Sequence, residues 1–164
     1  MKKGNTLIEL ILYIAIVSGI AMTSVMFVTD LVKGRVKSVL EENVAHNARL
    51  ASRRLNYELR QATSITSATA TDICLVSPTV GRNPTRIYLS SGRLYLGWGG
   101  SCASPTVTYP LTSSDVTITS LAFNDSSVGA SHQLDYSFKV SGNNTVGRQE
   151  WIYDTTASGS ASLR

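Results

Sequence analysis

Glu9 is a carboxylate in a stretch that is otherwise apolar from Leu7 and carries no further charge from Leu10 to Thr29. Burying a charge at mid-bilayer costs about 2.5–3.5 kcal/mol or more, so a carboxylate kept there is expected to have a partner and a purpose. Other candidate chemistry is thinner. Gly99-Gly100-Ser101-Cys102-Ala103 comes nearest to a nucleophile elbow, but the closing glycine is missing, no helix pattern follows, and the chain has two histidines. Cys74 and Cys102 stand far apart, with His46 and His132 at no ligand spacing, which makes a poor zinc site. There is no P-loop, dinucleotide fingerprint or metal-spaced acidic cluster. We therefore assign no catalytic residue, no metal ligand and no cofactor, and expect a protein that is not an enzyme.

If Cys74 and Cys102 face an oxidising compartment, a bridge between them contributes roughly 3–4 kcal/mol by constraining the unfolded chain; two free thiols are the alternative. Arg82, Arg86 and Arg93 lie near Tyr88, Tyr95 and Trp98 in sequence. Charge beside stacking rings suits a nucleic-acid surface, whereas the exposed face of a sheet is the simpler explanation. Asn124-Asp125-Ser126 and Asn143-Asn144-Thr145 match glycosylation sequons, a pattern that Asn- and Ser-rich loops generate by chance.

The elements that must carry these residues follow from the hydropathy pattern. At 164 residues there is room for one modest domain beside the N-terminal segment. Leu7–Val28 is long enough to cross a bilayer as a helix. It is too long for the core of a signal peptide, and no Ala-x-Ala site follows it. Lys2 and Lys3 before the apolar run are balanced by Lys33, Arg35 and Lys37 after it, so charge does not orient the span. The formal charge of +4 resides mainly in Lys33–Arg60, where Lys33, Arg35, Lys37, Arg49, Arg53, Arg54 and Arg60 outnumber Glu41, Glu42 and Glu58. A solvated or subunit-facing helix explains this basicity, with an anionic partner such as lipid head groups or nucleic acid as the alternative.

From Val32 the apolar positions step by three and four: Val36, Leu40, Val44, Ala48, Ala51, Leu55, Leu59 and Ala62. That is one helix stripe. No proline precedes Pro78, so a single helix from about Thr6 to Gln61 is expected. The remainder has strand patterns at Ile73–Ser77, Arg86–Ser90, Arg93–Gly97, Asp115–Phe123, Leu134–Val140 and Gln149–Thr155. Ser91-Gly92 marks a hairpin, Gly142-Asn143-Asn144 a turn, and the phase of Asp115–Phe123 slips near Ser120. Thr63–Thr71 reads as a connection and Ala157–Ser162 as a mobile tail. The expected fold is α+β, a long helix whose amphipathic half packs on a small antiparallel sheet domain.

The opening Met1-Lys2-Lys3-Gly4-Asn5-Thr6-Leu7-Ile8-Glu9-Leu10 resembles the processing and assembly signal of type IV pilins and pseudopilins. The resemblance implies a leader 1–4 and cleavage by a prepilin peptidase between Gly4 and Asn5. Asn5 would then be N-methylated, at a position where the family usually carries phenylalanine. It further implies a filament-core helix 5–30, an amphipathic continuation 31–62 and an outward β domain 63–164. Glu9 then becomes the fifth mature residue, the family's position for a glutamate that pairs with the N-terminal amine of a neighbouring subunit. Leu59-Arg60-Gln61-Ala62-Thr63-Ser64-Ile65, Leu111-Thr112-Ser113-Ser114-Asp115-Val116, Ser120-Leu121-Ala122-Phe123 and Ala161-Ser162-Leu163-Arg164 look like minor pilins and J-type minor pseudopilins. The implied partners are other pilin or pseudopilin subunits, an inner-membrane assembly platform and membrane lipid. The implied location is the cytoplasmic membrane, single-pass with the C-terminus outside, then an extracellular or periplasmic filament.

Overall fold

The computed structural model of the chain describes residues 7–127, 132–143 and 152–164. Helix α1 runs unbroken over Leu7–Gln61, 55 residues. Its hydroxyl side chains do not interrupt it, because Ser18, Thr23, Ser24 and Thr29 bond back to carbonyls three or four residues earlier. It ends where the Ala62 N–H is shared between the carbonyls of Glu58 and Leu59.

The chain divides into two compact units, up to Val39 and from Leu40 onward. In the first, the described residues are helical and exposed throughout, large apolar side chains included. This helix is long and apolar enough to cross a membrane.

The second unit contains the end of α1 and two antiparallel sheets rather than the single sheet expected. The first sheet holds β1 (Ser64–Ala68), β2 (Asp72–Val76), β3 (Thr85–Ser90), β4 (Arg93–Gly100) and β5 (Pro105–Pro110), in chain order. The second holds β6 (Val116–Asp125), β7 (Gln133–Gly142) and β8 (Asp154–Ser162). The fold is α+β, a long N-terminal helix packed on antiparallel sheets. The Ser91-Gly92 hairpin takes φ of 48° and 71°, positive at both central residues as a type I′ turn requires. The phase slip near Ser120 is a register shift between Ile118 and Ser120, where one extra residue enters β6 opposite β7.

Three expectations are corrected, at Thr63–Thr71, Ala157–Ser162 and Gln149–Thr155, and a strand is added at Pro105–Pro110. Thr63–Thr71 is not merely a connection, since Ser64–Ala68 pairs with β2 as an edge strand. Pro105–Pro110 forms β5, a strand with proline at both ends, which only a sheet edge tolerates. Ala157–Ser162 is no mobile tail: it pairs with β7 from Gln133↔Ser162 to Phe138↔Ala157. The final strand accordingly lies at Asp154–Ser162 instead of Gln149–Thr155, of which residues 149–151 fall outside the described residues.

The core joins the helix stripe to both sheets. Val44, Ala48, Ala51, Leu55, Leu59 and Ala62 are buried with Leu75, Ile87 and Leu96 from the first sheet and Leu121, Phe138 and Val140 from the second. Val32 and Val36, read as the start of the same stripe, are exposed. Polar contacts fix the seam. The Tyr136 hydroxyl, on a buried ring stacked against Phe138, accepts from the Asn56 amide at 2.8 Å and shares a 2.7 Å bond with the Ser52 hydroxyl. Gly159 on β8 makes room for that ring, since a Cβ there would lie 2.5 Å from the Tyr136 oxygen.

The segment between the sheets is tied down as firmly. Asn47 accepts the Ser113 N–H at 2.9 Å, Leu94 N–H donates to the Thr112 hydroxyl, and the Arg93 guanidinium donates to the Thr112 carbonyl. At the helix end, Thr63 N–H donates to the Val76 carbonyl and Arg164 N–H to the Ala62 carbonyl.

Tyr136→Phe removes the shared partner of Asn56 and Ser52 while keeping the ring. It is expected to destabilise the folded chain by about 1–3 kcal/mol, read as a lower urea midpoint.

Candidate functional site

Glu9 lies in the first turn of α1. Leu7, Ile8, Leu10, Leu12 and Tyr13 around it are all more than half exposed. No described residue pairs with it. Along the helix the next basic side chain is Lys33, which at 1.5 Å rise per residue is about 36 Å away. No cation of the described helix can therefore neutralise Glu9. Gly4 and Asn5 lie outside the described residues.

Cys74 on β2 and Cys102 after β4 form a disulfide with Cα atoms 5.8 Å apart. Register places Cys74 opposite Arg86, and Arg86 opposite Gly97. Over this part of the sheet lies the 101–104 turn, closed by Ser101–Ser104 backbone bonds. The Arg86 guanidinium reaches the Ala103 carbonyl at 3.1 Å. Gly97 fits beneath Pro105, which a Cβ would meet at 2.7 Å. Of the Gly99–Ala103 segment, the Cys102 sulfur is bridged and the Ser101 hydroxyl accepts the Ser104 N–H. Among the described residues no His, Cys, Asp and Glu cluster could hold a metal ion.

The arginines and rings grouped by sequence fall on two faces. Arg86, Tyr88, Tyr95 and Arg93 share the face opposite the core, because Ile87 and Leu96 between them point inward. There Tyr88 and Tyr95 stack at 5.6 Å, with Arg86 over one ring at 4.4 Å and Arg93 over the other at 6.0 Å. Trp98 pairs with buried Thr85 and so belongs to the core side, where it stacks on Tyr109 at 5.0 Å and carries Arg82 at 4.5 Å. The guanidiniums are also engaged. Asp72 binds Arg86 through three hydrogen bonds and holds its pKa above the ordinary value, against the opposing effect of desolvation. Arg93 is committed to the Thr112 carbonyl. On this face the two tyrosine rings stack on one another and each carries a guanidinium.

Arg82 exposes the residue that sequence reading missed. Glu58 is only 4% exposed, between Arg54 at 2.7 Å and Arg82 at 3.3 Å. In sequence it resembled Glu41 and Glu42, one acid among many bases. The signal available was its position, one residue before Leu59 on the apolar stripe. A buried carboxylate with two guanidiniums ties α1 to the β2–β3 loop. Elsewhere, the Ser127 hydroxyl and amide hold the exposed Asp125 carboxyl below the usual range, at the end of β6.

Replacing both cysteines, Cys74→Ser with Cys102→Ser, opens the cross-link between β2 and the 101–104 turn. Stability is expected to fall by about 3–4 kcal/mol, and reducing agent should lower the parent's urea midpoint to match.

No protein-family model, no curated protein and no solved structure matches the chain.

Proposed function

We propose that the chain is a non-enzymatic subunit of a type IV pilus-like filament or secretion system, a minor pilin or pseudopilin. On this reading it enters the cytoplasmic membrane as a prepilin, with the β domain outside. A prepilin peptidase cuts between Gly4 and Asn5 and methylates the new amine of Asn5. The observation that carries the reading is Glu9, an acid on an exposed apolar helix with no cation of the described helix within about 36 Å. On this reading its counter-charge is the N-terminal amine of another subunit.

Assembly follows from that imbalance. A carboxylate and an ammonium held in hydrocarbon each relieve the other's desolvation when two subunits meet. The apolar faces around Glu9 then pack against neighbouring helices, where van der Waals contact and interhelical polar bonds, more than removal from lipid, drive association. The segment motif Thr6-Leu7-Ile8-Glu9-Leu10 and the α+β fold support the same reading.

Mass spectrometry of the mature protein is expected to find a chain beginning at methylated Asn5. A Met1 or Lys2 start would instead favour a single-pass anchored binding domain that never polymerises. Glu9→Ala is expected to insert into the membrane at parental levels or better and to be depleted in sheared filaments. Incorporation at parental levels would remove the pairing role.

A further inference from the structure

Among the described residues the two sheets have four outer strands, and three are poor templates for further pairing. β5 is six residues long and ends at Pro110, whose position on the ladder faces outward and has no N–H to offer. β1 is five residues long and broken by a register shift between Ile65 and Ser67. β6 is bonded to the first sheet, Ile118 N–H to the Gly92 carbonyl and Phe123 N–H to the Ala70 carbonyl. β8 differs: it has nine residues, no proline and no register shift.

The ladder shows which way its backbone points. Gly142 N–H donates to the Tyr153 carbonyl, and Leu163 N–H donates to the His132 carbonyl. Alternation in an antiparallel pair then turns the N–H and C=O of Thr156, Ser158 and Ser160 away from β7. Among the described residues nothing bonds to them.

Beside this edge runs a groove of about 420 Å³ between β8 and the helix, with Ala45, Ala48, Thr155 and Ala157 among its lining residues. Arg49 and Arg53 stand on its helix side one turn apart, both exposed and without an ion-pair partner among the described residues. Among the described residues no carboxylate lines the groove, and Asp154, the acid of β8, is engaged by Lys139. Among the described residues, outward-facing backbone and two guanidiniums without an ion pair thus meet in one place.

We propose that this groove receives an extended segment of a partner protein carrying acidic side chains, which pairs along β8 while Arg49 and Arg53 bind its carboxylates. Main-chain bonds supply affinity in such strand addition, and the arginines select the charge. The assignment is independent of what the N-terminal helix does.

The test titrates the full chain in detergent micelles with labelled nine-residue peptides, followed by fluorescence anisotropy. The peptides alternate valine with glutamate, valine with lysine, or valine with glutamate around a central proline. The uninterrupted glutamate peptide is expected to bind about tenfold more tightly than either other, and to weaken as salt rises. Arg49→Glu combined with Arg53→Glu is expected to lose about tenfold in affinity. Ser158→Pro should lose as much, because it removes an outward N–H and leaves the bonds to β7 in place. The proline-bearing peptide reads the same backbone pairing without altering the protein. Equal binding of the glutamate and lysine peptides, or of the proline-bearing and uninterrupted ones, overturns the proposal. So does a concentration-dependent dimer abolished by Ser158→Pro, which assigns the edge to a second copy. Displacement of the peptide by a thymidine oligonucleotide that needs Arg49 and Arg53 overturns it as well.

Discussion

The second unit depends on one apolar stripe, from Val44 to Ala62, and on the fact that both sheets need it. A sheet with one apolar face must cover that face, and here a single helix segment covers two of them. Leu55 and Leu59 are fully buried where the layers converge. The polar contacts across the seam are then constraints of register more than sources of net stability. Tyr136 with Ser52 and Asn56, Asn47 with Ser113, and Glu58 with Arg82 each admit one rotational setting of the helix. A sliding or rotated helix would strand each of these groups without a partner, at a cost of several kcal/mol in sum.

Periodicity made the helix legible because nothing opposed it: there is no proline, the stripe steps by three and four, and hydroxyls fold back onto the backbone. It made β3, β4, β6 and β7 legible because their apolar residues alternate. β1, β5 and β8 were missed for a shared physical reason. All three are edge strands made largely of serine, threonine, alanine and proline, whose place in a sheet rests on backbone pairing with a neighbour. Ala157–Ser162 is the sharpest case, since its small side chains carry almost no hydrophobic signal while Phe138 and Tyr136 opposite it carry a great deal. The division into two sheets was equally invisible, being decided by the 111–115 crossover and its bonds to Asn47 and Leu94.

The candidate sites split along the same line. Glu9 could be picked out from sequence because its oddness is one-dimensional, a charge in an apolar run. The arginine and aromatic group could not be resolved that way, because register decides which side of the sheet each residue occupies. Trp98 and Tyr95 are three residues apart and face opposite ways. Glu58 illustrates the converse: a charge beside the stripe looked like its solvated neighbours until a loop from the β domain closed over it.

The bond between Arg164 N–H and the Ala62 carbonyl, 3.0 Å long, has a consequence for how the fold can vary. Backbone that departs from the helix at Ala62 travels through the eight described strands and returns to the same residue. Its points of departure and return coincide, so the length and strand number of the excursion are geometrically decoupled from the path of the helix. Such a unit can be enlarged, pruned or exchanged for another without moving the helical scaffold that bears it. Change within the excursion is thereby uncoupled from the helix that carries it.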